Sequence, residues 1–127
     1  MDRVLVDYFA AWNETNASER RELLERSIAE DAELIDPRGR WRGIAGLSER
    51  IANYQTAAPG TTVMATSGVD VHNGIEHYAC KIIDPSGTKL MEGLHVFERD
   101  PPALLQRIVM FHGPLPPVTQ PGGPHQD

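Results

Sequence analysis

The stretch TTVMATSGVDVHNGIEHYACKIID, residues 61–84, decides the fold. Asn73-Gly74 stands at its centre. An Asn-Gly pair between two apolar-rich runs is the strongest short-range signal for a tight hairpin, because both residues tolerate positive φ. The sequence therefore predicts a strand from Thr61 to His72 and its partner from Ile75 to Asp84. Pro85-Ser86-Gly87 makes the next turn. Leu90 to Arg99 reads as a third strand and Leu104 to His112 as a fourth, joined through Asp100-Pro101-Pro102. Together they form a four-strand antiparallel meander. Beyond it the chain is rich in Pro and Gly and has no period. The domain is expected over 1–114, with a flexible tail over 115–127.

Upstream of the meander the period is helical. From Asp2 to Asn13, Leu5, Tyr8, Phe9 and Trp12 recur at i, i+3, i+4 and i+7. Asn16 has the character of an N-cap, with Glu19 completing a capping box. The second helix is expected over Ala17 to Ala29, with Leu23, Leu24 and Ile28 inward. Ala32 to Asp36 is a short strand, stopped by Pro37 and Arg38-Gly39. A third helix runs from Ile44 to about Ala57, with Leu47, Ile51 and Tyr54 on one side. Helices first and strands later means α+β. A long twisted sheet must cover one face, and the three N-terminal helices are the available cover. The expected architecture is a cone-shaped, curved antiparallel sheet wrapped around them, with an apolar pocket at the wide end. Apolar residues on the outer face predict a homodimer through it.

Composition narrows the function classes. The chain has 127 residues, enough for one core. Its 18 acidic and 12 basic residues give a formal net charge of −6. Nucleic acids and anionic membranes both call for a cationic surface, so neither is an expected partner. No apolar run approaches the ~18 residues of a membrane helix. The stretch from Met1 to Trp12 is too short and too acidic for a signal peptide, so a cytoplasmic location is expected. Cys80 is the single cysteine, which rules out an intrachain disulfide. Its plain reading is a small buried hydrophobe.

Tyr8-Phe-Ala-Ala-Trp-Asn13, Ala29-Glu-Asp-Ala-Glu-Leu-Ile-Asp36-Pro37, Gly93-Leu-His95-Val-Phe97 and Val109-Met-Phe-His112-Gly113 share a pattern with a known group. Over about Val4 to Pro114 the chain resembles the nuclear transport factor 2-like superfamily, a cystatin-like roll, and within it the SnoaL-like and ketosteroid-isomerase-like branch. That superfamily holds isomerases, cyclases, dehydratases, epoxide hydrolases and binders, so the fold leaves the reaction open. The resemblance implies roles at three positions. Asp36 matches the isomerase's general base and Tyr8 its phenolic donor. His95 falls where the isomerase carries a protonated aspartate, and here departs from that pattern.

Each candidate also has a plainer reading. Asp36 is a turn-capping aspartate or a carboxylate whose pKa rises in an apolar cavity, fit to act as a base. Tyr8 is core or a donor to substrate oxygen. His95 is a core histidine or a donor to a developing enolate oxygen. His112 is a strand-end surface residue or shares the pocket with Ile108 and Met110. His72 and His77 flank the hairpin, and His125 belongs to the tail. Trp12, Trp41, Tyr54 and Phe97 are assigned to core and substrate-binding wall. His95, Asp36 and His112 are metal-ligand types without metal-ligand spacing, so no metal is expected. No phosphate or dinucleotide fingerprint is present, and no organic cofactor is expected. The leading expectation is an isomerase- or cyclase-type enzyme acting on an apolar, carbonyl-bearing small molecule. Asp36 would abstract the α proton, and Tyr8 and His95 would stabilise the oxyanion. The alternatives are a non-catalytic binder of an apolar molecule, or a hydrolase or dehydratase that activates water in the same pocket.

Overall fold

The computed structural model describes residues 1–100 and 103–119. Three helices, α1 (Arg3–Asn13), α2 (Ala17–Ser27) and α3 (Gly43–Ala57), pack against seven strands. The strands are β1 (Ile28–Asp36), β2 (Gly39–Arg42), β3 (Thr62–Ala65), β4 (Asp70–His72), β5 (Ile75–Ile83), β6 (Lys89–Asp100) and β7 (Leu104–His112). They form one open, curved sheet in the order β2-β1-β7-β6-β5-β3, with β4 also paired to β5. This is the expected α+β class. Every pairing is antiparallel except β1 with β7, which is parallel.

The apolar stripe of α1 places Leu5, Tyr8, Phe9 and Trp12 in the core, with Leu24, Leu47 and Ile51 from the other helices. The sheet contributes Leu34, Tyr78, Phe97, Leu105 and Ile108. Each such side chain contributes about 1.5–3 kcal/mol through burial. Asp2 and Asn16 cap α1 and α2, accepting from the backbone N–H of Leu5 and Glu19. The expected capping box is only half formed at Glu19. Glu14, not Glu19, accepts from the Asn16 N–H. Asn13, at the end of α1, pairs in both directions with Val63, donating to its carbonyl and accepting from its N–H. That bracket ties edge strand β3 to the helix layer.

Three local expectations shift. The second helix ends at Ser27, because Ile28 pairs in register with Leu105 and starts β1. The single strand expected over Thr61–His72 is split into β3 and β4. Between them the Ser67 hydroxyl accepts from the Ala79 N–H, standing in for a backbone carbonyl. The stop at Pro37 and Arg38-Gly39 is followed at once by a return strand, β2, that the sequence does not announce. It is short, yet Trp41 pairs with Leu34 and Arg40 reaches Glu33. The Asn73-Gly74 turn has the positive φ at both residues that the sequence called for. Gly93 in β6 serves a close approach, since a Cβ there would lie 2.6 Å from the Phe111 carbonyl oxygen.

Among the described residues no helix is long and apolar enough to cross a membrane. Residues 114–119 carry no helix or strand. Pro101, Pro102, residues 120–127 and hence His125 lie outside the described residues.

Candidate functional site

Alternation along β6 turns His95 and Phe97 inward and leaves Leu94 on the outer face. In the cross-strand register His95 faces Tyr78 on β5 and Met110 on β7, and Gly93 faces Cys80 and His112. These residues surround a narrow cavity of about 40 Å³ whose wall also includes Trp12, Arg50, Tyr54, Val63 and Ile82. A wider mouth of about 410 Å³ shares Arg50, Tyr54, Ile82, Met91 and His112 with it and adds Arg38, Trp41 and Asn53. Cavity and mouth thus form a funnel between α3 and the sheet.

The cavity wall carries the cross-strand pair Lys81 and Glu92 and a set of neutral hydrogen-bonding groups. Tyr78 Oη lies 2.9 Å from His95 Nδ1. Burial pushes the Tyr78 phenol far above its ordinary value, so it keeps its proton. With Nδ1 its partner among the described residues, the hydroxyl donates and Nδ1 accepts. A neutral imidazole then carries its proton on Nε2. Burial pushes His95 down to about 3, so the ring is neutral throughout the physiological range. Its Nε2 lies 3.4 Å from Cys80 Sγ, a weak acceptor, and burial pushes that thiol up to about 11. The second donor is Trp12. Its Nε1–H is buried near the Tyr8 hydroxyl but meets no acceptor at hydrogen-bonding distance and angle among the described residues, and the ring lines the same cavity. A buried donor left unmade costs about 1–3 kcal/mol. Such an orphan on a cavity wall has a use if a ligand oxygen completes it.

Asp36 sits at the end of β1, its side chain fully buried. Its Oδ1 accepts from the Arg38 N–H at 2.8 Å and its Oδ2 from Arg50 Nε at 2.8 Å. The Asp-Pro turn reading accounts for the first bond, and α3 supplies the second. Asp36 is absent from the funnel lining and reaches it through Arg50. Tyr8 is likewise behind the wall. Its hydroxyl points at Met110 Sδ, 3.9 Å away. Burial raises its phenol far above the ordinary value, partly offset by the nearby Trp12 N–H.

Of the substrate-wall candidates, Trp12, Tyr54, Met110 and His112 line the funnel and Trp41 lines its mouth. Phe97 and Ile108 are fully buried beside it and outside its lining. Tyr54 is oriented by a hydroxyl relay, donating to Thr61 Oγ1, which donates to the Ala58 carbonyl. His112 is half-buried, and its pKa lies below the ordinary value. Desolvation dominates that shift, with Asp36 opposing and Arg50 and Arg38 reinforcing it. Among the described residues no three His, Cys, Asp or Glu side chains converge on a point.

Arg50 escaped the sequence reading. The signal was there: Leu47, Ile51 and Tyr54 define the inward face of α3, and Arg50 falls at i+3 from the first of them. A charge on an apolar stripe asks for a buried partner. Cys80, read as packing, lines the cavity and touches His95 as well.

Solved structures with this arrangement of helices and strands are numerous. One from Agrobacterium tumefaciens, described as a candidate isomerase of the SnoaL-like family, superimposes with a TM-score of 0.82. It is 24% identical, over 87% of this chain and 95% of that chain. The chain has the nuclear transport factor 2-like fold. A candidate polyketide cyclase from Sinorhizobium meliloti shares this fold at 15% identity and TM-score 0.68, over 87% of this chain and 94% of its own. A ketosteroid isomerase-like protein from Catenulispora acidiphila, solved in complex with trimethylamine, shares it at 14% identity and TM-score 0.71, over 98% of this chain and 95% of its own. At these identities the likeness concerns the nuclear transport factor 2-like fold alone. No protein-family model matches the chain, and no curated protein matches it in sequence.

Proposed function

We propose that the funnel belongs to a small-molecule enzyme of the isomerase or cyclase type, which moves a proton next to a carbonyl. The observation that carries this reading is a pair of neutral donors on residues that line one largely apolar cavity, His95 Nε2–H beside Cys80 Sγ and the Trp12 Nε1–H that has no geometric hydrogen bond among the described residues. A ligand carbonyl seated there gains hydrogen bonds that strengthen as negative charge develops, in surroundings that exclude water. His95 keeps the electrophilic role that the resemblance implies for it. Trp12 takes the place in the lining that Tyr8 was expected to hold, with Tyr8 supporting it from behind.

The base is reassigned in this proposal. Asp36 meets Arg50 and Arg38 rather than the funnel, which favours a positioning role. His112 lines both cavity and mouth, and its depressed pKa leaves it unprotonated at neutral pH, able to accept a proton. The test follows solvent deuterium into the α positions of a panel of ketones and oxo-acids. Wild-type protein should catalyse exchange, His112→Asn should slow it about 100-fold or more, and Trp12→Phe roughly 10- to 100-fold. A wild-type protein that binds members of the panel without exchanging them is a binder, and the enzyme reading then falls. Full exchange by His112→Asn would return the base to Asp36.

A second reading has one observation in its favour. About 40 Å³ suits a few waters better than a bulky organic group. A hydrolase or dehydratase using His112 to activate water would turn over epoxides or alcohols without α exchange.

The outer face also supports the expected homodimer. Leu94 and Phe111 stand opposite each other across β6 and β7, and both are exposed. Phe111→Glu should convert a dimeric species to monomer in light scattering. A wild-type protein that is monomeric at high micromolar concentration would dispose of this assembly.

A further inference from the structure

We infer that the mouth of the funnel is an anion site, so that the ligand is an acid with a short apolar body rather than a wholly apolar molecule. The inference takes its ligand seat from the proposed function but not its chemistry. Arg50 is only 7% exposed, yet it lines both cavity and mouth. Its Nε is committed to Asp36, and its guanidinium lies over the Trp41 ring, 4.9 Å from the centroid. Held on one edge by a carboxylate and on one face by an indole, the fork has its Nη edge left. Those nitrogens make no hydrogen bond among the described residues. A locked planar fork with a spare edge is what bidentate recognition of a carboxylate needs.

A second arginine supports the first. Arg38 lines the same mouth, and its backbone N–H is held by the other oxygen of Asp36. One buried carboxylate thus anchors both arginines from behind, outside the lining, and a ligand meets the guanidinium before it meets Asp36. Most of the twelve Lys and Arg side chains have ion-pair partners among the described residues. The exceptions are Arg20, Arg38 and Lys81. Arg20 is hydrogen-bonded to the Glu14 carbonyl and Gln55, and Lys81 stands opposite Glu92 across β5 and β6. Arg38 is in the mouth. Among the described residues no carboxylate lines that mouth, although the chain carries a net charge of −6, and in the cavity below it Glu92 stands opposite Lys81. Beyond Arg50 the wall is apolar at Ile82, Val63 and Met110, carries the cross-strand pair Lys81 and Glu92, and includes His95 and Trp12. A carboxylate at the arginines and a carbonyl at the two donors describe an oxo-acid.

The experiment titrates the protein with 5-oxohexanoate and with its methyl ester, at low ionic strength, following tryptophan fluorescence and calorimetry. The acid should bind at least about tenfold more tightly than the ester, a preference that weakens with salt. Arg38→Gln, at an exposed position that should not disturb folding, should reduce the preference severalfold. Arg50→Lys keeps the charge but loses the fork, and should reduce it further. An ester that binds as tightly as the acid, no binding of either, or an undiminished preference in both variants would overturn the inference. The two readings fail separately. Preferential binding of the acid without deuterium exchange leaves the anion site and removes the proton transfer. Exchange of acid and ester alike, with no preference in binding, does the reverse.

Discussion

Replacing Asp36 by alanine is expected to cost about 3–5 kcal/mol of folding stability, and replacing Arg50 by methionine in the same chain is expected to restore much of it. The partners are buried, with side-chain exposures of 8% for Arg50 and 0% for Asp36, and their bond is 2.8 Å long. Solvent screening therefore does little to weaken the pair. Removing the carboxylate strands a guanidinium in low dielectric with only the Trp41 face beside it, and frees the Arg38 N–H from its acceptor. Removing the charge too, with methionine filling the space of the arginine stem, leaves an apolar contact of similar volume. Urea unfolding of the wild type, both single variants and the double variant closes the cycle, provided the slope stays constant. If Asp36→Ala lost less than about 1 kcal/mol, the guanidinium would have to be reaching water freely, and the locked fork would be gone. The cycle also bears on kinetics. A loss of turnover in an Asp36 variant has to be compared with the same loss in the double variant before Asp36 is given any part in the chemistry.

The second large effect is a dependence of stability on pH that belongs to His95. Its imidazole is held near 3 in the folded protein by burial, against an ordinary value of about 6.5. Above pH 6.5 neither state binds the proton, and the group contributes nothing to the slope. Below it the unfolded chain takes up a proton that the folded chain refuses, so stability falls with falling pH. The limiting slope is about 1.4 kcal/mol per pH unit until the folded pKa is reached. His95→Asn keeps an acceptor near where Nδ1 stood and removes the titration. Chemical unfolding between pH 6.5 and 5, above the range where most carboxylates protonate, should show a flatter slope for the variant. His112 shifts in the same direction, so some slope should remain. Equal slopes would mean that the His95 ring takes up its proton in the folded state, and the neutral Nε2–H donor would no longer stand.

Much of the architecture was legible because it rests on local chemistry. Asn73-Gly74 needs no tertiary contact to turn, and Leu5, Tyr8, Phe9 and Trp12 define a helix face by spacing alone. What failed locally were places where a distant strand supplied the partner. Ile28 continues a helical stripe in sequence, yet it pairs with Leu105, 77 positions on. Gly39–Arg42 is too short to announce itself and becomes a strand because Leu34 receives Trp41. The site was legible by residue type more than by role. His95, Trp12, Tyr54, Met110 and His112 do share a funnel, but periodicity along one element cannot say which inward side chain meets empty space and which meets packing. Phe97 and His95 share a strand face, and only His95 meets the cavity.

The sequence by itself determined the class of fold, the single core and the set of titratable groups that could do chemistry, because periodicity, turn residues and composition are properties of neighbours along the chain. The tertiary structure alone decided which of those groups carry charge and which face a ligand. Ionisation depends on what lies within a few ångströms across the fold. Arg50 is 14 positions from Asp36 and Tyr78 is 17 from His95, and no spacing rule links them.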